Sequence, residues 1–490
     1  MPSGSPAPRS TSTAARSRRR AGSAARTAPT SRDRPARAAR SVTGAARLGP
    51  DELQARDGFE IASPEIEASL PGPAPGELIP EPGERTHPFR ALHHRQFALL
   101  FASSTIGDIG YWISFVALQA YMADRTDKSA SWLGILFFAN FIPMMIFAPL
   151  AGAAADRMDR RRLLVAIRST VAGIATLMAV LIAMDLATPW VVVVMAFGLG
   201  TMYGFLGPTQ SAAVANTVPA EDLLSAVSMA SAGNNFCRVA GPALGAPILA
   251  LGGAGWSFAV YAATSAIVAV MLLPVRLRST LDHHTDRGAW RRIKDGLRHA
   301  KERPPALTAL ATMSVFSVFG GAQIALYPLF ANEVHDKPTQ AFTAIVVCSG
   351  IGAVLGAMGT ALRRTVPGIR ASLGWLVGFS VMSMGFALAP SWYGALACAI
   401  FVGFCYFSMT TALNTMLQHL ADDDKRGRIM SLFVVTWGGL IPVGAIWMGA
   451  VADATSAPFV VVLGASVCLV FALAMLARPT TLSTSGRSAR

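Results

Sequence analysis

The chain has 490 residues, 52% apolar and 14% charged, against roughly 25% charged in an ordinary soluble domain. That balance excludes a single soluble core, and from about Gln96 onward apolar runs recur that are long enough to cross ~30 Å of hydrocarbon. The net charge of +14 is unevenly placed: residues 1–50 carry eleven Arg and one Asp, residues 51–90 three Arg and nine acids, and the remainder contributes +10.

Residues 1–90 are rich in Arg, Pro, Ser and Ala, contain no apolar run and are expected to be a disordered extension. Its basic n-region is never followed by an apolar h-region, so no secretory signal is expected. The arginines suit lipid headgroups better than nucleic acid, which is not an expected partner. Twelve spans of about 20 residues follow, at 97–122, 131–154, 162–184, 188–214, 223–250, 255–275, 306–331, 339–362, 370–389, 391–418, 427–451 and 457–477. The expected organisation is a six-helix bundle over 91–275, a linker over 276–305, a second six-helix bundle over 306–477 and a tail over 478–490. In the linker, Trp290, Ile293, Leu297 and Ala300 share one helical face, with Arg291, Arg292, Lys294, Asp295 and Arg298 on the others. An interfacial amphipathic helix is expected there.

Basic residues fix the orientation. One set of loops carries Arg157–Arg162, Arg276–Arg303, Arg363–Arg370 and Lys425–Arg428, and the other only Arg125, Lys128 and Lys337. By the positive-inside rule both termini are cytoplasmic. A displacement of 203 residues brings Ser228 onto Ser431 and Gly241 onto Gly444. Two related halves with a substrate site between them are the plan of a rocking transporter.

The most distinctive stretch runs from Gly152 to Arg162 and packs four arginines and two aspartates into its last seven positions. Small residues at 152–155 allow two helix ends to approach, and Asp156 can accept from the orphan amides of a neighbouring helix N-terminus. The stretch resembles the loop between helices 2 and 3 of the major facilitator superfamily, Gly-x-x-x-Asp-Arg-x-Gly-Arg-Arg, through Gly152, Asp156, Arg157, Arg160 and Arg161. Asp159 stands in place of the second glycine. The resemblance implies an inner gate, with Arg426 and Arg428 at the start of span 11 facing the loop across the pseudo-symmetry axis.

Span 5 holds Asn234, Asn235, Arg238 and then Gly241-Pro242-Ala243-Leu244-Gly245-Ala246. Proline among glycines permits a bend and close helix packing. The run resembles the Gly-Pro-x-x-Gly-Gly exporter signature of the same superfamily at Gly241, Pro242 and Gly245, with Ala246 replacing the last glycine and Cys237 an earlier one, which implies export. Asp108 in span 1 and Arg238 in span 5 differ in depth by roughly 6 Å at 1.5 Å per residue, so an Asp108–Arg238 ion pair is expected, since neither charge is stable alone at that depth. In the superfamily, spans 1, 4, 7 and 10 line the cavity. The candidate lining is therefore Tyr111, Trp112, Gln119, Tyr203, Gln210, Phe319, Gln323, Tyr406 and Asn414, which suits a bulky, partly apolar, hydrogen-bonding solute.

Gly107-Asp108, Pro208, Val218-Pro219-x-Glu221, the Asn234/Arg238/Gly241-Pro242 run and Arg426-Gly427-Arg428 together resemble the enterobactin-exporter-like (transmembrane secretion effector) subfamily over residues 90–477. The resemblance implies an all-α membrane protein of the major facilitator fold, twelve transmembrane helices in two pseudo-symmetric six-helix halves, in a bacterial inner membrane. It implies a monomeric secondary transporter, exporting a siderophore, drug or metabolite by alternating access, with protons as the candidate coupling ion. Val194 stands where many proton antiporters carry a span-4 arginine, so coupling does not carry over with the fold.

A transporter-derived receptor or lipid-handling scaffold is the alternative. No cofactor is expected and no metal site, since Cys237, Cys348, Cys398, Cys405 and Cys468 stand singly and His283-His284 has no third ligand. No enzymatic motif and no nucleotide-binding P-loop is present, so neither catalysis nor direct use of ATP is expected.

Overall fold

Long runs of Leu, Val, Ala and Phe interrupted only by loops that carry the charges can satisfy their backbone in hydrocarbon only as helices. The computed structural model describes residues 89–275, 277, 304–363, 367–420 and 426–478, and among these the chain forms twelve long helices and no strand. The extension up to residue 88, the linker helix at 290–300, His283-His284, Arg364 and most of the tail lie outside the described residues.

Helix α1 (Arg95–Arg125) follows a short turn at Arg90–His93. Arg90 and His94 reach Asp222 at 3.0 and 2.7 Å, tying the start of α1 to the turn before α5. Helix α2 (Ala130–Arg157) is capped by Ser129, and α3 (Arg160–Ala183) by Asp159, whose carboxylate accepts from the Arg162 amide at 2.8 Å. Replacing the family's glycine by aspartate thus creates an N-cap, and Asp159 keeps a φ of −58°. Helix α4 (Pro189–Ala215) opens on proline, whose missing N–H is an orphan there anyway.

The next helix, Leu223–Leu272, has 50 residues, about 75 Å if straight and more than twice the hydrocarbon thickness. Gly253 breaks it with φ 70° and ψ −172°, a conformation essentially confined to glycine, and it makes two traverses, α5 (223–252) and α6 (254–272). Eleven continuous stretches are long and apolar enough to span, this one twice. Pro242 lies within α5 in helical backbone, so the expected bend there is not a break.

Helix α7 (Pro304–Val334) is regular only to Phe319, tightens over Gly321–Leu326 and widens over Phe330–Val334. Then come α8 (Phe342–Ala361), α9 (Ile369–Ala387), α10 (Trp392–Leu420), α11 (426–454) with a wide turn at Val435–Gly439, and α12 (Ala457–Leu476). Every expected span matches one of these helices to within about a turn.

The apolar surface faces outward: Trp190, Leu251, Trp256 and Val470 are each more than 60% exposed, while Ser103, Gln119, Thr312 and Ser380 are buried. The interior is still mostly apolar, with Phe97, Phe258, Phe316 and Phe379 fully buried, but so large an exposed apolar surface sets the fold apart from a soluble one. Small residues set the internal spacing. A Cβ at Gly200 of α4 would strike the Asn140 carbonyl of α2, and one at Gly403 of α10 would strike the Ser349 carbonyl of α8. Gly241 of α5 presses on Trp112 of α1, and Gly444 of α11 on the Ser317 and Val318 carbonyls of α7. Each pair is separated by the same 203 residues. The first six helices meet the last six chiefly where α2 packs on α11 and α5 on α8.

Candidate functional site

A cavity of about 600 Å³ lies between the two sets of helices, walled by α1, α2, α4, α5, α7, α8, α10 and α11 with Phe379 of α9. It extends along α4 and α5 to Val214 and Val227, within about a turn of the end of the bundle that carries Arg157–Arg162, the basic end. On α1, α2 and α4 its lining stops two turns or more short of the opposite end, whereas on α8 it comes within about a turn of that end, at Val346, and stops two turns short of the basic one.

Twelve aromatic residues contribute to its wall. Tyr111 stacks on Tyr203 with centroids 4.3 Å apart, and the Asn140 amide reaches the Tyr111 hydroxyl at 3.4 Å. From the other half, Tyr406 accepts from the Trp437 indole N–H at 2.8 Å and packs on Phe316 at 4.7 Å. Gln323 donates to Ser383 at 3.2 Å. These bonds hold ring planes in place while leaving flat apolar faces for a solute, as small-molecule sites generally require.

Of the nine expected lining residues, Tyr111, Trp112, Tyr203, Gln210, Gln323 and Tyr406 line the cavity. The lining does not include Gln119, Phe319 or Asn414. Gln119 is buried in α1 with both amide atoms unpartnered, Phe319 packs on Trp447 at 5.4 Å, and Asn414 accepts from Gln418 at 3.2 Å. Sequence reasoning missed Phe407, Trp437 and Tyr327, which also line it. Trp437 sits on a helix outside the set that the family pattern assigns to the cavity, and only its place in the wide turn of α11 brings it there.

The expected Asp108–Arg238 pair is not formed. Asp108 pairs instead with Arg168 of α3 at 3.4 Å, both groups almost fully buried. Gly107 makes this possible, because a Cβ there would overlap the Arg168 guanidinium. Arg238 faces the cavity with its guanidinium 5.3 Å from the Trp112 ring centroid and 4.7 Å from that of Phe407. Depth alone did not distinguish the two arginines; the helix carrying each one did. Gly241 and Gly245 lie against Trp112 and Ile113 of α1, so the glycine run of α5 supplies close approach.

At the basic end, Arg160 donates to the carbonyls of Ala155 and Ala212 at 3.3 and 3.5 Å, and Arg157 is exposed with Arg161 half-buried. Among the described residues, a Cβ at Gly152 would meet nothing within 4 Å. Asp156 is in the last turn of α2; its side chain and those of Arg426 and Arg428 lie outside the described residues.

The opposite end carries an aspartate that the expectations above omit. Asp453, in the last turn of α11, accepts from the Ala130 and Ser131 amides at 2.6 and 3.0 Å and from the Ser129 hydroxyl at 2.9 Å. Three donors at the N-terminus of α2 thus converge on one carboxylate. Beside it, Thr339 donates to Asp124 at 2.6 Å, joining the end of α1 to the turn before α8.

Twelve helices surround the central cavity, with hydrogen bonds joining the halves at the end opposite the basic one, and residues 86–485 match the transmembrane secretion effector family. The chain belongs to that family. It is therefore a multi-pass membrane transporter of the major facilitator superfamily. Relatives with this family's character include the staphyloferrin A transporter of Staphylococcus aureus, 23% identical over 363 residues covering 72% of this chain and 88% of the relative. The multidrug efflux pump Tap of Mycolicibacterium fortuitum is 27% identical over 372 residues, 73% of this chain and 88% of the pump. Among solved structures, the nucleoside transporter NupG superposes with a TM-score of 0.60 at 16% identity, over 78% of this chain and 98% of that one. The D-xylose-proton symporter gives 0.62 at 15% identity, over 78% and 98%.

Proposed function

We propose that the chain is a secondary active exporter that takes a small organic solute from the cytoplasm into the central cavity and releases it across a bacterial inner membrane. The carrying observation is that Asp453 caps α2 at the opposite end while on α4 and α5 the cavity reaches toward the basic end. On the positive-inside rule the basic end is cytoplasmic and both termini lie there. The relatives' names, a staphyloferrin A transporter and a multidrug efflux pump, support export. Residues 91–275 and 306–477 act as the two rocking bodies. When the cytoplasmic end closes, Asp156 accepts from the N-terminus of α11 beside Arg426 and Arg428.

Protons are the proposed coupling ion. Asp108 is the one acidic group lining the cavity among the described residues, and it is held by Arg168. Protonation would release that pair, and the protein works as a monomer.

Efflux of a panel of lipophilic drugs and siderophores from cells expressing the chain or its Asp156→Asn variant tests this, with and without a protonophore. Efflux that is lost both in the variant and on uncoupling is the expected result. Efflux untouched by uncoupling rejects proton coupling, and no extrusion of any compound rejects the exporter reading.

A further inference from the structure

The cavity carries an unbalanced positive charge. Asp108 and Arg238 are the only ionisable acidic and basic side chains among its described lining, and Asp108 is already neutralised by Arg168. No described carboxylate lies within ion-pair distance of Arg238, and no described group accepts a hydrogen from its guanidinium; its Nε is buried and unpartnered.

A lone guanidinium at mid-membrane is costly unless something offsets it. Trp112 and Phe407 do so in part, because a cation near an aromatic face is worth roughly 0.5–2 kcal/mol. A ring face cannot, however, accept the directional N–H bonds of the fork. Those donors match a carboxylate, which can take two at once.

The location of the charge adds to this. Trp112 comes from α1 and Phe407 from α10, and Gly350 of α8 packs against the Arg238 carbonyl. The guanidinium therefore sits at the seam between the halves, where a bound group can bias their opening. Next to it the stacked Tyr111 and Tyr203 and the bonded Tyr406 and Trp437 offer flat apolar walls.

We propose that the site selects organic anions, with a carboxylate held by Arg238 and an aromatic or otherwise flat apolar body lying against the tyrosine and tryptophan walls. Arg238 is then a specificity-determining residue, and a cationic solute of the same shape is rejected. This rests on the central cavity being the cargo site of the exporter.

Isothermal titration of the purified full-length chain with three probes of one shape, 2-naphthoate, 2-naphthamide and 2-naphthylmethylammonium, tests it without requiring transport. The expected order is acid, amide, amine, with the acid at least about tenfold tighter than the amide, since charge-assisted hydrogen bonds are roughly twice as strong as neutral ones. In Arg238→Gln the ratio of acid to amide affinity falls to about one. Arg238→Lys retains the charge without the fork, and keeps an intermediate ratio.

An acid that binds no tighter than the amide, a preference that survives Arg238→Gln, or the absence of binding by all three overturns the proposal. If efflux is found while the acid shows no advantage, the exporter reading stands and the anion reading falls. The acid preference without efflux of any compound gives the reverse.

Discussion

The two ends of the seam between α2 and α11 carry the same sequence device, and the described contacts engage it at the opposite end. At the opposite end the residues are Gly449-Ala-Val-Ala-Asp453, and at the basic end Gly152-Ala-Ala-Ala-Asp156. Gly449 lies so close to the Ala130 carbonyl that a Cβ would overlap it, and one turn later Asp453 takes three hydrogen bonds from the start of α2. Among the described residues, a Cβ at Gly152 would meet none within 4 Å. Four residues bring glycine and aspartate onto one helix face, so the glycine admits the end of the neighbouring helix and the carboxylate then caps it.

The largest effect that would sharpen this contrast belongs to a charge pair that is no part of either latch. Arg168→Met leaves Asp108 buried without its cation, which should cost about 3–5 kcal/mol of stability. The pair sits within the first six helices, so breaking it should lower thermal stability in detergent without favouring either end. Asp108→Asn added to Arg168→Met should restore most of the loss. A double variant as unstable as the single one would show that Arg168 works mainly through packing.

Next in size is Asp453→Ala, which removes three hydrogen bonds to one carboxylate, each worth roughly 1.5–3 kcal/mol when an ionised group is involved. Water compensates part of that once the end opens, so a shift of about tenfold to a hundredfold toward the open opposite end is expected. Spin labels at Arg125 and Thr455 would read it as a longer distance population. An unchanged distribution would mean that the Gly134 and Gly449 contacts close the end without the cap.

How much of this could be read in the amino-acid order differs by level. Helix number, approximate ends and the aromatic character of the cavity were legible, because hydropathy and loop charge dictate them directly. Six of the nine expected lining residues face the cavity, since residues on the right helix and near its middle tend to do so. Partner identity was not legible. Arg168 lies one turn or two beyond Arg160–Arg162 and reads as part of the same basic anchor, while its actual environment is the gap that Gly107 leaves on α1. Rotation of a helix about its axis decides such pairings, and spacing along the chain does not record it. Asp453 is a different kind of omission: its Gly-x-x-x-Asp was visible, four residues long and identical in form to the stretch at Gly152, but only the basic copy has arginines to draw attention to it.

The smallest expected effect is the most discriminating for the latch. Gly152→Ala should stabilise this conformation by about 0.5–1 kcal/mol, because alanine is the better helix former and no described residue stands in the way of its Cβ. Gly449→Ala makes the same chemical change where the Ala130 carbonyl blocks it, and should open the opposite end measurably. If the basic end closes by the same device, Gly152→Ala must also slow turnover, since the space it fills is the space the neighbouring helix has to enter. Stability and transport would then move in opposite directions in one variant. A Gly152→Ala protein that transports at the wild-type rate would confine the latch to the opposite end and leave closure of the basic end to its arginines.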